Sequence, residues 1–269
     1  MPLQPKFREE MVSVVKMFIR DSLEQSGMSG VVIGMSGGLD SSLLARLSVD
    51  ALGAGKVQGV FLPDSMTPEG DAEDAESFSK ELGMGFEVVP IDEPVESFKK
   101  TLGEAAEDLK VLGNIKARCR MIILYQRANS FGRIVLGSGN KSELMVGYFT
   151  KFGDGGADFL PLGDLYKTQV REMARFLNLP DRIISKPPCA GLWEGQTDEE
   201  ELEISYEDLD PILLGIELGM TNGEISERTG SPESEVERIR SMVKASVHKR
   251  KIPLIPKIGI KTIGLDWRE

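Results

Sequence analysis

Short apolar runs alternate with amphipathic helical patterns through the first half of the chain. The run Val31 to Met35 is unbroken and apolar, which is typical of a strand buried on both faces. A helical stripe precedes it, formed by Phe7, Met11, Val14, Val15 and Phe18. Further strands are predicted at 57–62, 86–91 and 133–136, and helices from Leu39 onward, at 71–82 and at 113–131. This alternation predicts an α/β fold: a doubly wound parallel sheet with helices on both faces, and ligands at the carboxyl ends of its strands.

The second half of the chain is rich in loops and then in helices. Residues 147–164 are dense in Gly and Asp and have little periodicity, so we expect an ordered loop there. Residues 186–203 join a Pro/Gly-rich stretch to a run of acids and form a candidate lid. Helices are predicted at 166–178, 206–218, 222–229 and 233–248. Extra C-terminal helices are therefore expected beside the sheet.

Length and composition limit the classes of protein that fit. The 269 residues suffice for one domain with a sizeable core, and 41% of them are hydrophobic. Two cysteines, Cys119 and Cys189, exclude a disulfide scaffold and are typical of a reducing compartment. The net charge of −11 argues against general nucleic-acid binding, and no apolar run approaches the roughly 18 residues that span a membrane. The N-terminus lacks a secretory signal pattern, so we expect a cytoplasmic protein that binds neither nucleic acid nor membranes.

The candidate chemistry begins in the Gly-rich turn from Ser36 to Ser41, which separates the first strand from the next helix. Glycines let backbone N–H groups close around phosphate oxygens, serine hydroxyls donate further bonds, and the helix N-terminus is positively polarised. The turn lacks the lysine of a Walker A motif and contains Asp40 instead, a candidate Mg²⁺ ligand beside a bound phosphate. In the alternative interpretation, Asp40 and the serines only cap the helix.

The turn, S-G-G-x-D-S, resembles the pyrophosphate loop of the N-type ATP pyrophosphatases, and later segments are similar to ammonia-dependent NAD synthetase. Those segments are GNIKAR at 113–118 with RM at 120–121, GSGNKSE at 137–143, GYFTKFGDGGAD at 147–158, PCAGLW and QTDE between 188 and 199, and HKR at 248–250. The resemblance implies an adenine nucleotide alpha hydrolase-like, Rossmann-like fold. Because only 35 residues precede the loop, we expect a single synthetase domain over 1–269 with no N-terminal glutaminase domain, and free ammonia as the nitrogen donor.

The resemblance implies a ligase that forms a carbon–nitrogen bond in the final step of NAD biosynthesis. The carboxylate of deamido-NAD⁺ attacks the α-phosphorus of ATP, pyrophosphate leaves, and ammonia then displaces AMP from the acyl adenylate to give NAD⁺. The implied Mg²⁺ ligands are Asp40 and Glu143, and Lys167 would offset charge on the departing pyrophosphate. The positions expected to contact ATP are Gly34, Met35, Ser36, Gly37, Gly38, Leu39, Asp40, Ser41, Ser138, Lys167 and Cys189.

Several of these residues also have ordinary structural interpretations. Glu143 would be an exposed acid in the first turn of a helix, and Lys167 a solvated helix lysine. Cys189 departs from the hydroxyl residue usual in the family, and a thiol is a weaker donor. It would contact ATP by its side chain or only by its backbone, or would be a small buried apolar residue.

The deamido-NAD⁺ site implied by the resemblance consists of Arg118, Lys151, Asp158, His248 and Lys249. Arg118 suits an anion and Asp158 suits ribose hydroxyls, whereas His248 has the alternative of a helix-end histidine beside carbonyls. Asp154 is our hypothesis for the group that orients or deprotonates ammonia. The resemblance further implies a homodimer with deamido-NAD⁺ near the subunit interface, and the first helix belongs either to that interface or to the core.

Three other classes of function stay open. Residues 222–232 resemble a helix-turn-helix of a nucleic-acid-binding regulator, although the acids Glu233, Glu235 and Glu237 that follow would face phosphates. An ATP-binding module without catalysis would need neither Glu143 nor the 147–158 loop. A tRNA-thiolating enzyme would want a reactive cysteine arrangement, which two cysteines 70 positions apart do not favour.

Two loops are candidates for closing over a water-sensitive adenylate. They are residues 63–68, at the end of the second predicted strand, and the candidate lid at 186–203. Both are expected to lose protease sensitivity when ATP and deamido-NAD⁺ bind.

Overall fold

The structure is a computed structural model that describes residues 3–106, 108–193, 195–251 and 253–263. Within these ranges, four parallel strands form one sheet in the order β3-β2-β1-β4. The strands are β1 (Gly30–Met35), β2 (Val57–Phe61), β3 (Gly85–Val88) and β4 (Arg133–Leu136). Val31 of β1 lies opposite Val57 on one side and Ile134 on the other. The order confirms the doubly wound α/β prediction, and the chain reverses direction across the sheet between β1 and β4.

Both faces of the sheet are buried because successive residues of its central strand are apolar. Val31, Ile33 and Met35 point into one core, whereas Val32 belongs to a second core with Val60 and other residues of the opposite face. Each fully buried side chain of this kind contributes roughly 1.5–3 kcal/mol. The unbroken apolar run therefore reflects a strand that is covered by helices from both sides.

Helices surround the strands in the first half of the chain. They are α1 (Glu10–Ser26), α2 (Leu39–Leu52), α3 (Glu69–Glu81), α4 (Asp92–Leu102) and α5 (Leu109–Phe131), with short 3-10 turns at Ala54–Lys56 and Gly103–Ala106. The predicted order of strands and helices is confirmed, except that α4 was not predicted and β3 ends before the expected residue 91.

The apolar stripe predicted for α1 is partly wrong. Val15 is buried, but Val14 is 59% exposed and Phe18 is 42% exposed. The buried face of α1 instead continues through Ile19 and Leu23, which lie one helical turn apart on the same side. The helix therefore belongs to the core along one face and leaves a second apolar face open to solvent.

The C-terminal half adds a helical layer beside the sheet. Its helices are α6 (Lys141–Val146), α7 (Lys167–Phe176), α8 (Asp181–Ile184), α9 (Asp198–Leu202), α10 (Tyr206–Glu217), α11 (Asn222–Thr229) and α12 (Glu233–Ala245), followed by a 3-10 turn at Ser246–Lys249. The predicted C-terminal helices are confirmed. The short helices α8 and α9 were not predicted, and α6 was foreseen only in the alternative interpretation of Glu143 as an acid in the first turn of a helix. Tyr206, Ile225 and Val236 share a buried cluster that joins α10, α11 and α12. In the described part of the chain, no helix is long and apolar enough to cross a membrane.

Candidate active site

The phosphate loop, residues 36–41, lies where the fold places ligands, between β1 and the start of α2. Gly37 has a φ of +72°, and a Cβ on it would lie 2.3 Å from the carbonyl oxygen of Asp71, so only glycine fits. The hydroxyls of Ser36 and Ser41 are 3.0 Å apart, and the backbone N–H of Gly38 donates to Ser36 Oγ at 3.2 Å. Serine hydroxyls and backbone amides therefore surround the N-terminus of α2.

Asp40 does not cap its own helix, so the capping interpretation of this residue is wrong. Gly38 precedes α2 without any side-chain cap bond, and Asp40 reaches across to the elements that follow β4. Asp40 Oδ1 accepts a hydrogen bond from Asn140 Nδ2 at 3.1 Å. Asn140 is itself held in place, because its Oδ1 accepts from the backbone N–H of Glu143 and Glu143 Oε2 accepts from the backbone N–H of Asn140. The turn after β1 and the turn after β4 thus face each other.

Lys167 joins the two carboxylates. Its ammonium pairs with Asp40 and lies 3.6 Å from Glu143 Oε1, and its side chain is 3% exposed. It also lies over the ring of Tyr206, 5.4 Å from the centroid. The side chains of Asp40 and Glu143 are 17% exposed. The interpretations of Lys167 as a solvated lysine and of Glu143 as an exposed acid are both wrong.

The charge state of this cluster follows from its burial. Burial alone would lower the pKa of Lys167, but the neighbouring carboxylates Asp40 and Glu143 raise it well above its ordinary value, so the side chain stays cationic. Burial raises the pKa of Glu143 against the attraction of Lys167. Asp198 lies close enough to interact with Lys167, and burial raises its pKa as well. One ammonium therefore lies among three carboxyl groups, and the raised pKa values of Glu143 and Asp198 reflect burial with too little compensating positive charge.

This shortage of positive charge makes the site suitable for a divalent cation. Mg²⁺ binds through one or two carboxylates together with phosphate oxygens and water, and Asp40 and Glu143 offer two carboxylates beside the phosphate loop. Among the residues that the structure describes, no three acidic, histidine or cysteine side chains converge as an all-protein metal cage. The donor set thus fits a magnesium that arrives with a nucleotide.

Asp210 on α10 fixes the starts of the two helices that carry Glu143 and Lys167. It is fully buried and accepts hydrogen bonds from the hydroxyl of Ser142, and from the backbone N–H and hydroxyl of Thr168. Ser142 Oγ in turn accepts from the backbone N–H of Lys167 at 2.9 Å. No local sequence pattern marks Asp210, because its partners lie 68 and 42 positions away in the chain.

Most of the residues expected to hold deamido-NAD⁺ lie on the 147–158 loop and in the 3-10 turn Ser246–Lys249 that follows α12. Arg118 donates to the carbonyl oxygen of Lys151 at 3.3 Å, and Lys151 Nζ donates to the carbonyl oxygen of His248 at 2.8 Å. Lys249 Nζ donates to the carbonyl oxygens of Gly147 and Phe149, each at 2.8 Å. His248 is exposed. These bonds bring three cationic side chains and one histidine to a single loop.

Asp154 and Asp158 have different surroundings on that loop. Asp154 Oδ1 accepts from the backbone N–H of Thr150 at 2.8 Å. Its side chain is open to solvent, although the surrounding protein removes enough hydration to raise its pKa. Asp158 accepts hydrogen bonds from the hydroxyl of Tyr125 and the backbone N–H of Val135, so it ties the loop to α5 and β4. The structure thus gives Asp158 a positioning contact in addition to its expected ribose contact.

Ser138 and Cys189 lie in separate loops, the first after β4 and the second after α8. Ser138 follows β4 and is half-buried. Cys189 is exposed, so its interpretation as a small buried residue is wrong, and its Sγ accepts from the backbone N–H of Gly191 at 3.1 Å.

Lys116 and Arg120 of α5 bond to the candidate lid at 186–203, within which Glu194 lies outside the described residues. Lys116 Nζ on α5 donates to the carbonyl oxygen of Leu192 at 2.8 Å and pairs with Asp64 at 2.6 Å. Arg120, one turn further along, donates to the carbonyl oxygen of Leu62 at 3.0 Å and to that of Gly191 at 3.3 Å. Both candidate closing loops are therefore fastened to the same face of α5.

These features define an α/β protein of the nucleotide-binding kind, with a Gly-rich loop and a cluster of carboxyl groups at the switch point of its sheet. Residues 11–253 match the family model described as NAD synthase. The NH3-dependent NAD⁺ synthetase of Methanococcoides burtonii is 46% identical over 251 residues, which cover 93% of this chain and 95% of that one. The chain belongs to the NAD synthase family, as the sequence motifs predict.

Solved structures agree with this assignment. The NMN synthetase of Francisella tularensis has a TM-score of 0.83 and 35% identity, over 94% of this chain and 100% of that one. The NH3-dependent NAD synthetase of Campylobacter jejuni, solved with a nitrate ion, has a TM-score of 0.78 and 30% identity, over 93% of this chain and 98% of that one. The predicted fold class and family are thus confirmed.

Proposed function

We propose that this protein is an ammonia-dependent NAD⁺ synthetase that amidates deamido-NAD⁺ at the expense of ATP. The observation that carries the proposal is the convergence of Asp40 and Glu143 on Lys167, directly beside the phosphate loop. Such a site holds the polyphosphate of ATP and neutralises the charge of its leaving group. The similarity to relatives named NH3-dependent NAD⁺ synthetases supports the same assignment of substrates.

In the first step, one carboxylate oxygen of deamido-NAD⁺ bonds to the α-phosphorus of ATP, and the bond to pyrophosphate breaks. Asp40 and Glu143 would hold Mg²⁺, which when bound supplies positive charge to the phosphate oxygens. Lys167 is held by both carboxylates, so its ammonium is already oriented before ATP arrives. The loop from Ser36 to Ser41 and the polar positions Ser138 and Cys189 complete the ATP site.

In the second step, ammonia bonds to the acyl carbon, the bond to the AMP oxygen breaks, and one proton leaves the nitrogen. Asp154 is assigned to orient or deprotonate ammonia, because its raised pKa makes it a better proton acceptor than an ordinary surface aspartate. Arg118, Lys151, Asp158, His248 and Lys249 are assigned to deamido-NAD⁺. Nitrogen enters as free ammonia, within a single synthetase domain.

A homodimer belongs to the same proposal. The exposed apolar face of α1, with Val14, Met17 and Phe18, is suited to burial against a second copy. Analytical ultracentrifugation is expected to show a dimer for the parent. Phe18→Asp is expected to shift the protein toward monomer. The cytoplasmic location stays a prediction.

A second candidate substrate is the smaller nicotinate mononucleotide, which the match to the NMN synthetase favours. The test is a set of parallel reactions with ATP, Mg²⁺ and ammonium, in which deamido-NAD⁺ is exchanged for nicotinate mononucleotide, xanthosine monophosphate or aspartate. We expect NAD⁺, AMP and pyrophosphate in equal amounts with deamido-NAD⁺. Turnover with one of the other acceptors and none with deamido-NAD⁺ would overturn the proposal.

A further inference from the structure

Lys186 fastens the first residue of the 186–203 segment to the phosphate loop. Its Nζ donates to the carbonyl oxygen of Gly37 at 2.9 Å, to Asp71 Oδ1 at 2.8 Å and to Asp74 Oδ2 at 2.7 Å. An ammonium has three N–H donors, and here each has an acceptor. Burial alone would lower the pKa of Lys186, but the hydrogen bonds to both aspartates raise it, so the side chain stays charged. Its position is therefore determined on three sides.

Lys186 bonds to the first of two adjacent glycines in the loop. Gly37 has a φ of +72° and is followed by a second glycine, Gly38. A peptide between two glycines rotates at little steric cost, because neither neighbour carries a Cβ. The carbonyl of Gly37 and the N–H of Gly38 belong to the same planar trans peptide and point in opposite directions. A donor that holds the carbonyl therefore also aims the N–H.

We propose that Lys186 is a positioning residue that sets the Gly37–Gly38 peptide for binding of the ATP polyphosphate. Gly38 immediately precedes α2, so this peptide forms the edge of the positively polarised helix start. The inference rests on the proposed function, since it takes the loop as the polyphosphate site. The lysine lies at the start of the 186–203 segment, which Lys116 and Arg120 contact further along at Leu192 and Gly191.

The chain offers a matched control for this role. Arg182 on α8 donates to Asp74 at 2.9 Å and to Ser77 at 3.2 Å, so it shares an acceptor with Lys186 and has no hydrogen bond to the phosphate loop. Its side chain is 50% exposed. Arg182→Met removes a cation that pairs with α3, the helix of Asp74, and leaves the bond between Lys186 and Gly37 in place.

The experiment compares the parent, Lys186→Met, Lys186→Arg and Arg182→Met in the full chain. ATP and inorganic pyrophosphate are titrated calorimetrically with Mg²⁺, and amide hydrogen exchange is followed without ligand. Lys186→Met is expected to lower the affinity for ATP and for pyrophosphate about tenfold or more. It is also expected to raise KM for ATP with little change in KM for deamido-NAD⁺. Lys186→Arg is expected to recover most of the affinity, and Arg182→Met to stay within about twofold of the parent.

Hydrogen exchange separates positioning from simple charge attraction. In ligand-free Lys186→Met, the amides of Gly38 and Leu39 are expected to exchange faster while those of β1 keep the parental rate. Parental exchange at these two amides, or parental affinity for ATP, would overturn the inference, as would an equal loss in Arg182→Met. Should Lys186→Met not fold, Lys186→Gln is measured instead and is expected to show the same losses; parental values there would equally overturn it. Failure of the parent itself to bind ATP would instead refute the proposed function.

Discussion

Replacing Lys167 by methionine removes the cation from the centre of the site and keeps most of the side-chain volume. The ammonium is 3% exposed and faces Asp40 and Glu143, each 17% exposed. Removing one partner of a buried ion pair costs about 3–5 kcal/mol, because the remaining charge has neither water nor a counterion. Since Glu143 can take up a proton, we expect a loss near the lower end, about 3 kcal/mol.

Lys141→Met is the matched control for this substitution. Lys141 also lies over a tyrosine ring, that of Tyr166 at 5.0 Å, and it also pairs with two carboxylates. Those carboxylates, Asp164 and Glu217, are 97% and 43% exposed, so water screens them. The expected loss is therefore about 1 kcal/mol or less.

The assay is urea unfolding of the parent and both variants, with and without millimolar Mg²⁺. Without Lys167 the two carboxylates are free to bind a cation, so Mg²⁺ is expected to stabilise Lys167→Met more than the parent, and this extra gain should disappear when Glu143→Gln is added. The kcat of Lys167→Met is expected to fall about 10²–10³-fold. Equal stability losses in Lys167→Met and Lys141→Met, with no additional effect of Mg²⁺, would refute the reasoning.

Three further predictions concern carboxylates. Asp210→Ala is expected to lower both kcat and the free energy of unfolding, the latter by about 3 kcal/mol, since three donors lose a buried acceptor. Asp210→Asn should lose less stability. A parental free energy of urea unfolding for Asp210→Ala would contradict this prediction. Burial alone would raise the pKa of Asp64, but Lys116 holds it below its ordinary value, so the stability it contributes is present above about pH 4 and is lost as the pH falls through the folded-state pKa. The free energies of unfolding of the parent and Asp64→Asn should therefore approach each other as the pH falls. A difference that does not change with pH would contradict a stabilising ion pair between Asp64 and Lys116. Asp154→Asn is expected to slow NAD⁺ formation about 10²-fold or more while ATP–pyrophosphate exchange continues, whereas parental rates of both would remove Asp154 from its role.

The best-predicted parts of the fold are those whose local pattern and tertiary environment agree. β4 and α11 begin and end at the predicted residues, 133–136 and 222–229. The bounds of β4 follow its buried apolar run, and those of α11 are set by a capping box at Thr221 and by Gly230 at its end. The short helices α6 and α9 have six and five residues, too few to display a helical period. Val14 and Phe18 follow the apolar spacing of α1 but face solvent, since periodicity alone does not say which apolar face is covered.

The candidate site was predictable only where its residues stand in contiguous motifs. The loop around Asp40 and the start of α6 around Glu143 are such segments, and the structure brings both to Lys167. Lys186, by contrast, bonds to Asp71 across 115 positions and to Gly37 across 149. No local pattern signals a contact of that kind, because the partner is chosen by the fold rather than by the neighbouring sequence.

Transfer of an isotope through the adenylate tests the proposed chemistry most directly. Deamido-NAD⁺ carrying oxygen-18 in its pyridine carboxylate is incubated with the protein, ATP, Mg²⁺ and ammonium, and the products are weighed by mass spectrometry. Because a carboxylate oxygen bonds to the α-phosphorus and leaves with it, we predict one labelled oxygen in each AMP and none in pyrophosphate. Label in pyrophosphate or in inorganic phosphate, or NAD⁺ formed with unlabelled AMP, would contradict an acyl-adenylate mechanism for this protein.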